Sequence, residues 1–433
     1  INNQGTATNF GATGSASWVT TVKTGDFTAV AGEGYFVDTT SQEIDVALPA
    51  GTAGAVVAVA DYANTFDTNN CILKQNGSDK IEGSTDDLII NTEGASITLV
   101  FVDSTKGWVV TDTGNSTDAS TTPQFVTATG GTITTVCTNF KVHTFTGPGT
   151  FCVSNAGNGV GSQTVDYLVV AGGASGGTGN NAGGGGAGGY RESSGAASGC
   201  YTASPLGSGV SALPVSVQSY SVTVGGGGAQ VPKSPGSDAR GNQGANSVFS
   251  TITSTGGGGG ATGDGSTDGT PGTDDVGQPG GSGGGSGYAN YDGNPGTGGT
   301  GNTPSVSPPQ GQNGGSANVG APAYGASGGG GATAAGTAGS GSGAGPGGAG
   351  ATSSINATPT ARAGGGGGGT NGPISSGGAG GGGAGAPPSA PGVAGTVNTG
   401  GGGGGGGNPV SSPSPNVLGG AGGSGIVIIR YKF

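Results

Sequence analysis

The chain has 433 residues, of which 109 are glycine and only 8% are charged, and it carries a net charge of −12 with 11 Lys+Arg. So few cations, with no basic run among them, exclude the electrostatic footprint of a nucleic-acid binder or of a protein held to anionic membranes. No run is apolar enough to insert into a membrane as a spanning helix, and the length suggests two to four domains.

The sequence holds no Met and starts at Ile1. We therefore expect the distal part of a longer polypeptide, or a processed one, with residues 1–24 as a connecting segment. Residues 25–113 read as an all-β, sandwich-like module. Short runs rich in β-formers, 29–37, 44–48, 55–60, 71–74, 88–91 and 96–102, are separated by turn residues. The clearest is Ile97-Thr-Leu-Val-Phe-Val102, which turns through Asp103-Ser-Thr-Lys-Gly107 into Trp108. Its period of two puts Ile97, Leu99 and Phe101 on one face.

Residues 114–123 form a Ser/Thr/Asp-rich linker. Residues 124–170 read as a small β-meander with strands near 132–137, 141–146 and 150–154. The cysteines are Cys71, Cys137, Cys152 and Cys200, and none has the CxxC or CxxH spacing of a zinc site. Cys137 and Cys152 flank one short β-segment. A disulfide between them and a pair of free thiols both fit that spacing.

From 171 to 433 the sequence returns about ten times to glycine tracts of roughly four to eight residues, such as Gly183 to Gly186, Gly256 to Gly260, Gly364 to Gly369 and Gly400 to Gly407. Tracts of this kind either form flexible coil or pack side by side as threefold extended helices, about 12–25 Å long at ~3.1 Å per residue. The two are close in energy. Ordering a backbone residue costs roughly 1–2 kcal/mol, and a hydrogen bond returns about 0.5–1.5 kcal/mol net. One tract alone stays disordered, whereas many tracts bonded on several sides can order together. Their recurrence, the absence of a Gly-X-Y period, and the apolar strands at either end (Asp166-Tyr-Leu-Val-Val-Ala171 and Ile426-Val-Ile-Ile-Arg-Tyr-Lys-Phe433) favour a polyglycine II bundle closed by those strands, with Tyr220-Ser-Val-Thr-Val224 nearby. The expected fold is thus all-β modules followed by a polyglycine II bundle, with essentially no α-helix. If the tracts run up and down, alternate spacers gather at one end as a cluster of loops.

Candidate chemistry is sparse. GxGxxG matches have no strand–helix context and there is no Gly-Lys for a phosphate loop. His143 is the single histidine and sits mid-strand, without a nucleophile elbow beside it. Asp264, Asp268, Asp274 and Asp275 share one loop, but neither the EF-hand nor the GGxGxD pattern accompanies them, so that loop reads as a solvated acidic segment. Glu33, Asp38, Glu43 and Asp45 form no recognisable hydrolytic pair. We expect no enzyme, no cofactor and no metal. Tyr190 and Tyr201 read as caps on the bundle. Tyr288, Tyr291, Asp292 and Tyr324 lie in a long Pro/Asn/Gly-rich spacer region and, with Asp264 and Asp268, are the candidate recognition residues, because tyrosine offers stiff amphipathic contact area.

Gly34-Tyr-Phe-Val-Asp-Thr-Thr40, Ile44-Asp-Val-Ala-Leu-Pro-Ala50 and Val100-Phe-Val-Asp-Ser-Thr-Lys-Gly-Trp108 resemble modules of tail-fibre proteins of tailed bacteriophages, marine ones in particular. Lys141-Val-His-Thr-Phe-Thr-Gly147, Tyr167-Leu-Val-Val-Ala171 and Gly425-Ile-Val-Ile-Ile-Arg-Tyr431 resemble the glycine-rich domain that ends such fibres. Similar glycine-rich domains occur in large viruses of algae. The tracts themselves are similar to those of tail-tip adhesins that display host-specificity loops on a polyglycine II sandwich. The resemblance implies a virion-borne, extracellular receptor-binding protein whose partners are a host cell-surface protein or glycan and other tail proteins. Carrying its own β-modules, the chain departs from clip-on tip adhesins, and the resemblance then implies a fibre continuous with its shaft and homotrimeric. A purely structural extracellular or capsid fibril is the alternative, and an ice-binding protein a third.

Overall fold

A computed structural model describes residues 16–115, 123–159, 161–197, 199, 201–232, 239–263, 275–288, 296–317, 323–408 and 417–433. The chain divides into two compact units, Ile1–Thr121 and Thr122–Phe433. Both are built from strands and extended segments; among the described residues the only named helical turn is Pro205–Gly207, and no helix is long and apolar enough to cross a membrane.

The first unit contains β1 (Ser17–Lys23), β2 (Phe27–Thr28), β3 (Glu33–Val37), β4 (Ile44–Ala47), β5 (Val56–Asp61), β6 (Cys71–Lys74), β7 (Leu88–Ile90), β8 (Ala95–Asp103) and β9 (Gly107–Asn115). The expected runs are strands, and β8 turns into β9 through 103–107 as the sequence predicts, with Phe101 opposite Trp108. Its turn is fixed by the Asp103 carboxylate, which accepts the Thr105 and Lys106 amides at 2.8 Å. Those bonds hold the Asp103 pKa below the ordinary carboxylate value. The connectivity differs from an antiparallel sandwich. Strands β1 to β6 alternate between two sheets and pair in parallel within each, β1-β3-β5 and β2-β4-β6, so the chain coils. Only β7, β8 and β9 turn back antiparallel. The segment expected as a connector contributes β1 to the first sheet. Inward residues of both sheets, among them Tyr35, Val37, Ile44, Val46, Leu73, Leu99 and Trp108, share one core.

The second unit contains β10 (Val126–Thr129), β11 (Thr132–Val136), β12 (Phe140–Phe145), β13 (Gly149–Ala156), β14 (Thr164–Val170), β15 (Tyr190–Glu192), β16 (Leu213–Pro214), β17 (Ser219–Thr223), β18 (Ser247–Phe249), β19 (Ile252–Ser254), β20 (Ala351–Ser353), β21 (Thr360–Arg362) and β22 (Ile426–Lys432). As expected, the two apolar ends of the glycine-rich region meet: β14 and β22 pair antiparallel with Leu168 opposite Ile428. The expected meander is not a sheet of its own. Strands β11 and β12 join β22, β14 and β15, with β16 on β14, whereas β10 and β13 join β17, β18 and β19. A boundary at residue 170 would therefore cut through one hydrogen-bonded sheet. β22 reads as a continuous apolar run because both its faces are covered. Val427, Ile429 and Tyr431 enter the core between the sheets, and Ile426 and Ile428 enter a second core on the other side.

Beyond the strands, the glycine tracts form the lattice expected of polyglycine II. The tract 182–189 shows its logic. Ala182, Gly185 and Gly188 donate to Gly406, Gly403 and Gly400; Gly183, Gly186 and Gly189 donate to Ala261, Gly258 and Thr255; Gly184 and Ala187 donate to Ser327 and Gly330, all at 2.7–3.0 Å. Every third residue thus faces the same neighbour, the signature of a threefold helix. The carbonyls of this tract accept from three further tracts, through Ala171, Ala174 and Gly177, through Ser282 and Gly285, and through Gly366 and Gly369. Six tracts therefore ring a central one. The ring closes on itself through bonds such as Gly257 to Gly172, Gly258 to Ser282, Ser327 to Ser286, Ala326 to Gly369, Gly405 to Gly367 and Gly403 to Ala174. Glycine is required for contact this close: a Cβ on Gly185 would overlap the Ala174 carbonyl oxygen.

Candidate functional site

The direction of the central tract defines two ends. At one end Gly189 leads into β15, Val170 ends β14, Ser254 ends β19 and Ile426 starts β22, so this is the strand end. The opposite end is tied by Thr178 N–H to Ala239 O (3.0 Å), Gly287 N–H to Asp275 O (3.3 Å), Ala323 N–H to Gly341 O (3.0 Å), Asn371 N–H to Ala323 O (3.2 Å) and Ser389 N–H to Asn408 O (2.9 Å). Spacers that the sequence separates by scores of residues thus leave from one place, as the up-and-down arrangement predicts. Gly263 and Asp275 bracket the segment that holds Asp264 and Asp268, and Tyr288 and Gly296 bracket the one that holds Tyr291 and Asp292. Those four residues themselves lie outside the described residues.

Two of the candidate tyrosines are brought together there. The Tyr288 and Tyr324 rings meet edge-to-face, with centroids 5.6 Å apart at 71°, an arrangement favoured by the aromatic quadrupole. Their tracts are adjacent in the ring, since Ser327 donates to Ser286 O and Ser286 Oγ donates to Ser327 Oγ (3.0 Å). Tyr324 is 39% exposed and holds a positive φ of 43°, a conformation rare for a non-glycine residue. The sequence reading missed Ile374, on the short spacer after Thr370, which is 61% exposed. Its spacer is anchored to Ala323 through Asn371. The signal available was a bulky aliphatic residue in a spacer otherwise made of small and polar ones.

The remaining candidates have other surroundings. Tyr190 and Tyr201 lie at the strand end; Tyr190 is buried and donates to Glu192 Oε2 (2.9 Å). His143 is fully buried between Gly130 O (2.7 Å) and the Tyr431 hydroxyl (3.0 Å), and burial lowers its pKa. The N-terminal carboxylates are taken up locally: Glu33 accepts from the Tyr35 hydroxyl, Asp38 from Thr40, Asp45 pairs with Lys74, and Glu43 accepts from Asn70. No group of three or more His, Cys, Asp or Glu able to hold a metal occurs among the described residues. The disulfide between Cys137 and Cys152 is not formed. Both thiols are free, because the cysteines belong to different sheets: Cys137 is exposed at the β11–β12 turn, and Cys152 lies on β13, where the Ser219 hydroxyl donates to its sulfur (3.5 Å).

The family model described as a glycine-rich domain matches residues 144–432, from the end of β12 through the whole lattice to β22. The chain belongs to this glycine-rich domain family. Comparison with curated proteins gives no match. The matched span of the glycine-rich domain includes β14 and β22 as well as the tracts, whereas β10, β11 and most of β12 precede it.

Proposed function

We propose that this chain is the receptor-binding end of a viral tail fibre, and that its glycine-rich domain is a rigid frame whose far-end loops contact a protein or glycan on the host cell surface. The observation that carries this reading is the convergence of the loop-bearing spacers on one end of a hydrogen-bonded lattice, with the exposed Tyr324 and its partner Tyr288 among them. A frame whose central tract makes its backbone bonds to neighbouring tracts lets loops vary at little cost to the scaffold, the division of labour seen wherever a rigid scaffold presents binding loops. The coiled β-module of the first unit is then shaft-like, continuous with a homotrimeric fibre joined to other tail proteins. Weak single contacts suffice on a particle with several fibres, because linked binding multiplies affinity.

Adsorption of the labelled full chain to a panel of bacterial cells tests the proposal. Replacing residues 289–295 and 318–322 with Gly/Ser segments of equal length is expected to abolish binding or shift its host range. A purely structural fibril would bind no cell in the panel, or bind equally well after replacement.

A further inference from the structure

The sheet that contains β12, β22, β14 and β15 buries a cluster of ionisable groups on the face turned away from the other sheet. The registers Asp166 opposite Arg430 and Leu168 opposite Glu192, with the two-residue period of a strand, place Asp166, Arg430, Tyr190 and Glu192 on this one face. The β20–β21 hairpin and the segment after Tyr201 cover it. Arg430 Nη1 donates to Ile355 O (3.0 Å), Ser354 N–H to Thr202 O (3.0 Å), and Ser204 N–H to Glu192 Oε2 (2.9 Å). The Arg430 guanidinium lies 4.7 Å from the Phe140 ring centre and 5.0 Å from that of Tyr201. Burial is deep: Arg430 is 0% exposed, Glu192 2%, Ser204 3% and Arg362 4%.

Five buried polar atoms here make no hydrogen bond to the protein: Arg430 Nε and Nη2, Arg362 Nη1, Glu192 Oε1 and Asn356 Oδ1. Their chemistry selects the missing partner. The three arginine nitrogens only donate, and the glutamate and asparagine oxygens only accept. The formal charges of Arg362 and Arg430 are matched by those of Asp166 and Glu192. A bound anion would serve the guanidiniums but meet Glu192 Oε1 with like charge, and a cation would reverse the conflict. What fits is a small neutral species that donates and accepts at once. We infer that this cluster holds a bridging group of ordered water molecules that joins the β20–β21 hairpin to the strand platform. A buried water makes about three hydrogen bonds, so about two waters satisfy these five atoms. This inference concerns the strand end and stands apart from the far-end loops.

A high-resolution crystal structure of the full chain, grown with bromide in place of chloride, tests it. The expected result is discrete water peaks at about 2.7–3.2 Å from Arg430 Nε and Nη2, Arg362 Nη1 and Glu192 Oε1, with no bromide anomalous signal among them. A bromide peak at the guanidiniums would overturn the inference, as would a structure in which these atoms bond one another directly. In solution, oxygen-17 relaxation dispersion of the same chain is expected to report long-lived internal waters, and a profile without them counts against it.

Discussion

His143 on β12 and Tyr431 on the adjacent β22 share a hydrogen bond, Nε2 to the tyrosine hydroxyl at 3.0 Å, and that hydroxyl is the point where their sheet meets the other one. The same hydroxyl accepts the Ala128 amide from the other sheet at 3.2 Å, while Nδ1–H donates to Gly130 O at 2.7 Å. Burial favours the neutral ring, in which Nε2 can accept the tyrosine proton.

A pH dependence follows. Burial is the main cause lowering the His143 pKa, and Lys141 adds to it against the opposing Gly130 carbonyl. The unfolded chain then binds the proton more readily than the folded one. The stability contributed by the neutral ring is complete above an unfolded pKa of about 6.5 and is lost as pH falls from there through the folded value. Thermal unfolding of the second unit is expected to drop between pH 7 and pH 5, and the drop should shrink in His143→Gln. An unchanged slope in that variant would refute the assignment.

The lattice makes a position-specific demand for glycine. Gly185→Ala puts a methyl group against the Ala174 carbonyl inside the ring, and is expected to cost about 1–3 kcal/mol or more through overpacking. Gly226 has open space where its Cβ would be. Gly226→Ala is expected to lie within about 0.5 kcal/mol of wild type, or slightly above it because alanine narrows the unfolded ensemble. Paired denaturation curves compare the two directly.

In the first unit, Asp61 organises the loop after β5. Its carboxylate accepts the amides of Thr65 (3.1 Å), Phe66 (3.1 Å) and Gly94 (3.0 Å). Asp61→Ala leaves these donors unbonded and is expected to cost roughly 1–3 kcal/mol for each amide that water cannot reach. Urea denaturation followed by Trp108 fluorescence measures it.

The thiols are expected to sort by exposure. Cys137 is exposed, whereas Cys71 is buried, with its pKa pushed up to about 12 by desolvation and by Asp61 and Asp45. Maleimide labelling near pH 8, read by peptide mass spectrometry, should modify Cys137 within minutes and Cys71 only after denaturation. Prior reduction should change neither rate, since no Cys137–Cys152 bond has to be broken.

At the far end, Tyr324→Ala is expected to weaken cell adsorption while leaving the unfolding midpoint almost unchanged, because a half-exposed ring contributes little to the core. A large fall in midpoint with adsorption intact would make the Tyr288–Tyr324 contact a structural brace.

Much of this architecture is written in local chemistry. Most inner-lattice positions admit only glycine, with a few alanines and serines such as Ala187 and Ser327 where there is room, so the tracts announce themselves, and the apolar runs at 166–171 and 426–433 announce the strands that close it. What the sequence conceals is pairing. A period of two says which face Val37 or Val46 takes but not whether its neighbour runs parallel, and so the coil of the first unit was not legible. Glycine tracts are chemically alike, so nothing marks Gly185 as the partner of Gly403 and Gly366. Arg430, inside an apolar strand, gives no hint that its cover comes from Ile355. Of the candidate site, the gathering of the spacers followed from the up-and-down tracts, whereas Ile374 was hidden in a spacer too short to draw notice.

The three-residue rhythm that assigns each tract to its neighbours is carried by backbone amides and carbonyls, which every residue type but proline supplies in full. Inside the bundle, then, evolution has almost nothing to tune; outside it, almost nothing to protect. Mutations in the turns at the free tip escape the usual penalty of unfolding the body that bears them. Such a body can serve as an interchangeable tool-holder, wearing out its bits generation after generation while the handle stays the same.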